Sequence, residues 1–261
     1  MTEAVHVEVL GRVAVLTLSR PESGNAIDLD MADSLRRAVL ACAADDAVRA
    51  LLLTGQGRAF CVGGDVKAFA AAGAAASALV ETLTASLHTA IARLGRMDKP
   101  LVTAINGAAA GAGFGLAILG DVALAARSAK FAMAYGAIGL TPDGGATWLL
   151  PRLVGLRQAQ RLALTGERID ADEAERIGLI SAVVDDATLK DEALALARSL
   201  AEGPRQAFAN TRALLHQSLS NGLETQLERE ARDIAKAIAG PEGQEGIAAF
   251  VARRGADFSR L

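Results

Sequence analysis

The chain has 261 residues, of which 51% are hydrophobic, 22% are charged and only 3% are aromatic, and its formal net charge is -3. A chain of this length can bury roughly 70–75% of its unfolded surface, in one large domain or two small ones. The weak negative charge and the scarcity of aromatic rings exclude the basic, base-stacking surface of a nucleic-acid-binding protein.

The N-terminal part of the chain carries clear strand and helix signals. Apolar and polar residues alternate over 5–10 and 13–19, which predicts a β-hairpin. Asp28 or Asp30 is placed to cap a helix that runs to about Ala44.

Further strands and helices alternate along the chain. The most apolar stretch, 101–119, contains an asparagine and several glycines, and it predicts a strand, a turn and a buried helix instead of a membrane span. We therefore expect no membrane partner. The predicted strands are 48–54, 60–62, 101–105, 121–126 and 130–133, and the predicted helices are 77–97, 111–119, 147–153, 157–164, 171–176 and 187–201.

The C-terminal part has helical periodicity and no strand signal. Pro204 precedes a region rich in Gln, Glu, Arg and Ala that covers 206–238. Gly240 and Pro241 interrupt it, and 244–253 predicts a last amphipathic helix. This pattern predicts a separate helical layer.

Cysteine and histidine residues give no metal-binding pattern. Cys42 and Cys61 stand far apart and are expected to be small buried apolar residues in a reducing compartment, which favours the cytoplasm. His6, His88 and His216 have no ligand spacing, so we expect no metal site.

Two glycine-rich segments, 61–65 and 106–115, are the features most suggestive of chemistry. Small residues let backbone N–H groups approach a ligand, and two such groups converging on one oxygen would form an oxyanion hole. A helix beginning near Ala112 would add unpaired N–H groups and a positive dipole end. Close packing of the backbone is the alternative explanation of these glycines.

Asp143 is the third feature, in the segment Leu-Thr-Pro-Asp-Gly-Gly. A single acid near an oxyanion hole indicates proton transfer, whereas the same Pro-Asp-Gly pattern also occurs in ordinary turns. The chain has no dinucleotide fingerprint, no phosphate-binding P-loop and no nucleophile elbow.

Taken together and in order, these segments resemble the crotonase superfamily of enoyl-CoA hydratases and isomerases, and the resemblance covers essentially the whole chain. It implies an α/β fold, a crotonase-like spiral of β-β-α units with a C-terminal helical trimerisation region. We expect the spiral core to occupy 1–200 and the helical oligomerisation region 201–261, in a homotrimer or a dimer of trimers. The segments that carry the resemblance are 20–26, 59–67, 104–113 and Asp121.

The resemblance also implies the substrate and its contacts. The substrate would be a coenzyme A thioester, an acyl-CoA, with no permanently bound cofactor. The thioester oxygen would lie between the backbone N–H groups of Gly64 and Ala112. The residues that would contact substrate or CoA are Asn25, Ala26, Ile27, Gly63, Asp65, Val66, Lys67, Gly111, Tyr135, Phe250 and Arg253.

This chain departs from the hydratase pattern at the catalytic positions. Hydratases of this family use two glutamates, where this sequence has Gly115 and Tyr135. Hydration needs one group to activate water and another to handle the proton at C2, which a lone carboxylate does not easily supply. We therefore expect an isomerase, with Asp143 at the position where several isomerases and dehalogenases of the superfamily carry their working carboxylate.

Segments 131–152 and 245–254 are similar to the ring-epoxide isomerases, which act on 2-(1,2-epoxy-1,2-dihydrophenyl)acetyl-CoA in phenylacetate breakdown. The favoured function is an acyl-CoA isomerase that moves a double bond or rearranges a ring epoxide. Three alternatives stay open: an atypical enoyl-CoA hydratase, a non-catalytic acyl-CoA-binding homologue, and a dehalogenase with Asp143 as nucleophile.

Overall fold

Ten strands form two sheets in the computed structural model, which describes residues 3–259 and residue 261. The strands are β1 Val5–Leu10, β2 Val13–Leu18, β3 Ala50–Gly55, β4 Ala59–Cys61, β5 Leu101–Ile105, β6 Ala108–Ala110, β7 Val122–Ala126, β8 Lys130–Ala132, β9 Ile169–Asp170 and β10 Ala182–Val184. The larger sheet has the order β1-β2-β3-β5-β7-β10 and the smaller sheet the order β4-β6-β8-β9.

Ten α-helices cover these sheets in the described chain. They are α1 Leu29–Ala44, α2 Val66–Ala72, α3 Ala76–Arg96, α4 Ala112–Ala117, α5 Ala146–Thr165, α6 Ala171–Arg176, α7 Leu189–Ala201, α8 Arg205–Ser218, α9 Leu223–Ala239 and α10 Pro241–Val251. Short 3-10 turns precede α1, α3 and α5.

From β3 to β8, consecutive strands alternate between the two sheets, and this alternation builds a spiral of β-β-α units. In the larger sheet β3, β5 and β7 pair in parallel. The strands that follow each of them, β4, β6 and β8, pair in parallel in the smaller sheet. Parallel neighbours need long crossover connections, which α2–α3 and α4 supply. The ends of consecutive strands therefore meet along the line between the sheets.

The strands β2, β3 and β5 of the larger sheet are buried on both faces, and alternate side chains of each strand pack on opposite sides of the sheet. On β2, Val13 and Val15 pack in a cluster with Leu189 of α7. Ala14 and Leu16, which point the other way, pack in the main core with α1, α3 and α4. The helix α7 thus belongs structurally with the spiral.

Two buried cations donate hydrogen bonds to carbonyl groups at the C-terminal ends of helices. Lys99 is fully buried and its Nζ donates to the carbonyl oxygen of Asp45 at 2.6 Å, just past α1. Arg212 of α8 donates to the carbonyl oxygen of Leu94 at 3.1 Å, in the last turn of α3, and its Nε lies 2.8 Å from a carboxylate oxygen of Asp121. Cations at helix C-termini satisfy the free carbonyl groups there.

Most predicted elements are confirmed, and the cap of α1 is now assigned. Asp28, not Asp30, caps α1, because its carboxylate accepts from the N–H of Met31 at 2.9 Å. The two helices predicted on either side of residue 155 are confirmed as the two halves of α5, which meet at a kink at Gly155, where φ +76° and ψ +157° are not helical.

Other elements differ from the sequence expectation. The helix α2 and the short strands β6, β9 and β10 were not predicted, because each is too short or too rich in alanine to show an apolar period. The region 206–238 is two helices, α8 and α9, which separate at 219–222.

The segment Val66–Arg96 is, by length and composition, apolar enough to cross a membrane. Its hydropathy in the first half comes largely from alanine. In the second half Leu83, Leu87, Ile91 and Leu94 are buried in the main core, whereas only 6% of the most apolar window is buried.

Candidate active site

The first glycine loop, 61–65, lies against the segment that precedes α1. The N–H of Ile27 donates to the carbonyl oxygen of Gly63 at 2.7 Å, and the N–H of Asp65 donates to that of Ile27 at 2.9 Å. These bonds form a parallel bridge between Ile27 and Gly64. The N–H of Gly64 therefore points away from Ile27.

The second glycine loop meets the first at a contact between two glycines. Gly63 has φ +97°, and a Cβ atom there would lie 2.9 Å from the carbonyl oxygen of Ala110 and 3.3 Å from the nitrogen of Ala112. Gly111 has φ +53°, and a Cβ atom there would lie 3.6 Å from the Cα of Gly63. A side chain at Gly63 would push the two loops apart, so this contact requires glycine.

Two backbone donors remain free where these loops touch. Ala112 is the first residue of α4, so its N–H has no acceptor within the helix. Within 3–259 and 261, neither this N–H nor that of Gly64 donates to a protein acceptor, whereas the N–H of Gly111 donates to Ala132 at 3.1 Å. Two unused N–H groups in adjacent loops are the donors that an oxyanion hole needs.

Asp143 lies in the turn before α5, and this turn packs on the second glycine loop. Gly144 and Gly145 follow it with φ +64° and +75°. A Cβ atom on Gly144 would lie 3.8 Å from the Cα and from the carbonyl oxygen of Ala112. The Asp143 side chain is 30% exposed, so a carboxylate that a ligand can reach lies beside the free donors.

Each carboxylate oxygen of Asp143 faces a different side chain. The hydroxyl of Tyr135 donates to Oδ1 at 2.6 Å. On the other side, Nε2 of His88 lies 3.4 Å from Oδ2 and accepts the N–H of Gly144 at 3.3 Å. The carboxylate is thus held between a phenol and an imidazole.

Tyr135 keeps its proton at this position. Burial, followed by the negative charge of Asp143, raises the pKa of Tyr135 well above its usual value. The residue before it, Ala134, has φ +53°, a conformation that is unfavourable for alanine and turns the chain after β8. A Cβ atom on Gly111 would lie 3.9 Å from Cζ of Tyr135, so the ring also lies next to the second glycine loop.

The position of the first hydratase glutamate has no room for a side chain. Gly115 is buried in α4, and a Cβ atom there would lie 2.9 Å from the carbonyl oxygen of Gly144 and 3.7 Å from Cβ of Ala146. The turn that carries Asp143 therefore fills the space that a residue larger than glycine would need.

The side chain of Asn25 is used within the protein, and a contact of this segment with CoA stays a prediction. Its side chain is fully buried, and its amide nitrogen donates to the carbonyl oxygens of Gln56, Ala59 and Phe60 at 2.9–3.1 Å. Its amide oxygen accepts the N–H of Arg20 at 2.9 Å. With every polar atom used, Asn25 fixes the loop against β4 and its side chain is not available to CoA.

The side chains of three further residues that were predicted to contact CoA are buried or hydrogen-bonded within the protein. Ala26 and Ile27 are buried. Asp65 caps α2 by accepting the N–H of Ala68 at 3.1 Å, and it faces Arg20 at 3.4 Å. Their side chains shape the first glycine loop instead of presenting groups to a ligand.

The remaining predicted contacts are exposed. Val66 and Lys67 lie on the outer side of α2, directly after the first glycine loop. Phe250, which is 85% exposed, lies on α10, and Arg253 follows that helix with φ +55°. The helix α10 packs on α9, so a role for Phe250 and Arg253 at a site across a subunit boundary stays a prediction.

Sequence reasoning missed His88 as a site residue. It lies on α3 one turn before Ile91, whose Cδ1 would lie 3.6 Å from a Cβ atom on Gly144. A half-exposed histidine beside the apolar stripe of α3 gives no signal of its own, and nothing in the sequence connects α3 to the turn at Asp143.

No group of histidine, cysteine and acidic residues suited to a metal ion occurs in the described part of the chain. Cys61, at the end of β4, is fully buried, and burial raises the pKa of its thiol to about 12. We therefore expect the Cys61 thiol to be unreactive.

Comparison with known proteins shows the family to which the chain is similar. A family profile described as enoyl-CoA hydratase/isomerase matches residues 8–260. The chain is 41% identical to the 1,2-epoxyphenylacetyl-CoA isomerase of Escherichia coli, over 99% of each chain. It is 40% identical to a Rhodobacter capsulatus protein named "Probable enoyl-CoA hydratase", over 98% of this chain and 97% of that protein.

A solved structure shares the fold over nearly the whole length. The crystal structure of an enoyl-CoA hydratase from Polaromonas sp. JS666 matches with a TM-score of 0.93 at 34% identity, covering 97% of this chain and 98% of the other. This match confirms the α/β spiral that the sequence resemblance implied. The chain therefore belongs to the enoyl-CoA hydratase/isomerase family, the crotonases.

Proposed function

We propose that this protein is an acyl-CoA isomerase that moves a double bond through a thioester enolate, with Asp143 as its single acid and base. The observation that carries the proposal is the position of the Asp143 carboxylate, beside two touching glycine loops with free N–H donors. Its substrate class is a coenzyme A thioester with unsaturation near the carbonyl group.

The N–H groups of Gly64 and Ala112 would bind the thioester oxygen. As a proton leaves the carbon next to the carbonyl group, negative charge develops on that oxygen. Fixed backbone donors stabilise such charge, and loss of one donor typically raises the barrier by about 3–4 kcal/mol. This role accounts for the glycines at the point where the two loops touch, Gly63 and Gly111.

Asp143 would move one proton between two carbons. For a 3-enoyl thioester, the carboxylate takes a proton from C2 and becomes a carboxylic acid, and the electrons of the C–H bond form the conjugated dienolate. The same carboxyl group then returns a proton to C4, which leaves the double bond between C2 and C3. A proton-transfer group of this kind contributes about 10²–10⁴-fold to the rate.

The same site could rearrange a ring epoxide attached to an acetyl-CoA group. The relative from Escherichia coli is a 1,2-epoxyphenylacetyl-CoA isomerase, and this similarity supports an aromatic ring epoxide as one substrate. An enolate held in the oxyanion hole would supply the electrons for ring opening.

A hydratase is the second candidate, because another relative carries that name. It would need a second group to activate water. Gly115 offers no space for one, and the Tyr135 hydroxyl already donates to Asp143. These contacts favour the isomerase.

We also propose a homotrimer or a dimer of trimers. Four apolar residues of α9 lie within about 60° of one another around the helix, since a helix has 3.6 residues per turn. Each is more than half exposed in the single chain: Leu223, Leu227, Ile234 and Ile238. An apolar stripe of this kind is typical of a protein interface.

The test is to incubate the purified protein with 3-hexenoyl-CoA and, separately, with crotonyl-CoA, and to analyse the products by chromatography and mass spectrometry. The proposal predicts an isomer of unchanged mass and new retention time from 3-hexenoyl-CoA. A product heavier by one water from crotonyl-CoA, without isomerisation of 3-hexenoyl-CoA, would instead establish the hydratase. Binding without turnover of either would indicate a non-catalytic homologue.

A further inference from the structure

Nε2 of His88 faces two groups, and its protonation state decides which of them it can hydrogen-bond. Nε2 of His88 accepts the N–H of Gly144 at 3.3 Å, which requires that this nitrogen carry no proton. The same atom lies 3.4 Å from Oδ2 of Asp143, where it could donate only if it were protonated. The imidazole therefore accepts a hydrogen bond in one protonation state and donates one in the other.

The two oxygens of Asp143 differ in their hydrogen bonds. The Tyr135 hydroxyl donates to Oδ1 at 2.6 Å, and a hydrogen bond to a charged oxygen stabilises its charge and lowers its basicity. Oδ2, the oxygen that faces His88, is therefore the preferred site for a proton taken from a substrate.

The side chain of His88 is more exposed to water than that of Asp143. The imidazole side chain is 49% exposed, against 30% for the Asp143 carboxyl group. The second ring nitrogen, Nδ1, can exchange its proton with solvent while Nε2 faces the carboxyl group.

The geometry points to His88 as a proton relay between Asp143 and solvent, an inference that rests on the proposed isomerase function. After Asp143 takes a proton from the substrate carbon, the Oδ2–H bond breaks and an Nε2–H bond forms, which gives a carboxylate and an imidazolium. The imidazolium releases its Nδ1 proton to water, and the reverse steps return a solvent proton to Oδ2. Charge and protons balance without any other reactant.

His88 thus acts through Asp143 as a positioning residue. It decides whether the proton delivered to the product comes from the substrate or from solvent, and it has less effect on the rate of isomerisation. Direct return of the substrate's own proton gives an unlabelled product in D2O, whereas passage through His88 gives a deuterated product. Because Asp143 itself still performs the transfer, we expect removal of His88 to lower kcat by no more than about tenfold, below the usual contribution of a direct acid or base.

The test is a single-turnover conversion of 3-hexenoyl-CoA in D2O, with deuterium in the product measured by mass spectrometry. The variants are His88→Gln, which keeps hydrogen bonding but cannot carry a proton, and His88→Ala. The matched control is His6→Gln, an exposed histidine on the edge strand β1. We expect the wild type and the control to incorporate deuterium and both His88 variants to lose most of that incorporation.

Added imidazole should restore deuterium incorporation to His88→Ala, because the half-exposed position is open to a small base. Equal incorporation in the wild type and both variants would overturn the relay. Complete loss of isomerisation in both variants, with no rescue by imidazole, would overturn it as well, because direct return of the proton does not need a relay. A wild type that does not isomerise 3-hexenoyl-CoA at all would instead contradict the proposed function.

Discussion

The spiral core and the three C-terminal helices of this chain hold together in different ways. In the core, buried side chains fill the space between elements and glycines bring backbone against backbone: a Cβ atom on Gly113 would lie 2.1 Å from the carbonyl oxygen of Cys61. A close approach of this kind also joins α9 and α10, where a Cβ atom on Gly243 would lie 2.0 Å from the carbonyl oxygen of Ala237, but few side chains are buried there. Within the described chain, α9 has no buried residue, α8 has only Arg212, and α10 has only Ala249. The active-site geometry thus depends on close packing in the core, whereas the helices attach through a few polar contacts and leave apolar surface for a partner.

The largest expected effect comes from adding one carbon to a core glycine. We expect Gly113→Ala to lower the free energy of unfolding by about 4 kcal/mol or more, since the neighbouring atoms belong to the backbone and cannot move aside cheaply. The matched substitution in the helical region is Gly246→Ala, where the nearest atoms are 3.8 Å away in the Phe258 ring. It should raise stability by about 0.5–1 kcal/mol, as alanine does inside helices. Chemical denaturation of both variants checks this contrast, and equal effects would contradict it.

A smaller loss of stability is expected when the polar contact between α8 and the core is removed. Arg212→Ala removes a buried cation that caps α3 and pairs with Asp121. Asp121 is partly exposed and keeps its hydrogen bond from the N–H of Leu101 at 2.7 Å, so the main cost is the loss of the charged donor to the buried carbonyl oxygen of Leu94, about 1.5–3 kcal/mol. The control is Arg229→Ala on the exposed surface of α9, which should change stability by less than about 0.5 kcal/mol. Thermal and urea unfolding measure both, and a harmless Arg212→Ala would show that α8 is held by other contacts.

Gly115→Ala tests a core position that packs directly against the turn carrying Asp143. Its Cβ atom would lie 2.9 Å from the Gly144 carbonyl oxygen, so the turn that carries Asp143 must shift. We expect a stability loss of about 1–3 kcal/mol. Isomerase activity should fall by up to about 10²-fold, because small displacements of a catalytic group are costly. Unchanged steady-state kinetics would mean that the Asp143 turn adapts freely.

The smallest effect on the fold is expected on the apolar stripe of α9. The double variant Leu227→Ser with Ile234→Ser should alter the stability of the single chain by about 0.5 kcal/mol or less, because both side chains are exposed. Analytical ultracentrifugation should nevertheless show a shift from trimer or hexamer to monomer. Leu164→Ser, an exposed leucine on α5, is the control and should leave the assembly intact. A wild-type monomer, or a trimer that survives the double variant, would contradict the assigned role of the stripe.

Local patterns were sufficient for the longer elements of the fold. The alternation in β1 and β2, the apolar run of β3 and the helical spacing of α3 each identify an element without reference to the rest of the chain. The Asp28 cap follows from the same kind of local rule. The strand β6, three alanines in a glycine-rich loop, has no such pattern and forms only because β4 and β8 flank it.

The site was harder to predict than the fold, for a different physical reason. Asp143 and the two glycine loops could be named from motifs and from the family resemblance. His88 could not, because its contact with Asp143 depends on how α3 packs against the turn before α5. The family resemblance placed Asn25 near the ligand, but the burial and the four internal hydrogen bonds of its side chain depend on how the loop packs on β4, which the sequence does not reveal.

The most direct test of the central claim is the kinetics of Asp143→Asn with 3-hexenoyl-CoA, beside the binding of a non-reactive acyl-CoA analogue. Asparagine keeps the size of the side chain and removes its ability to carry a proton. We predict that kcat falls by about 10²–10⁴-fold while analogue binding and stability are unchanged. The control Asp191→Asn, an exposed acid on α7, should behave like the wild type. An Asp143→Asn variant with wild-type kcat would contradict the assignment of a single-carboxylate isomerase.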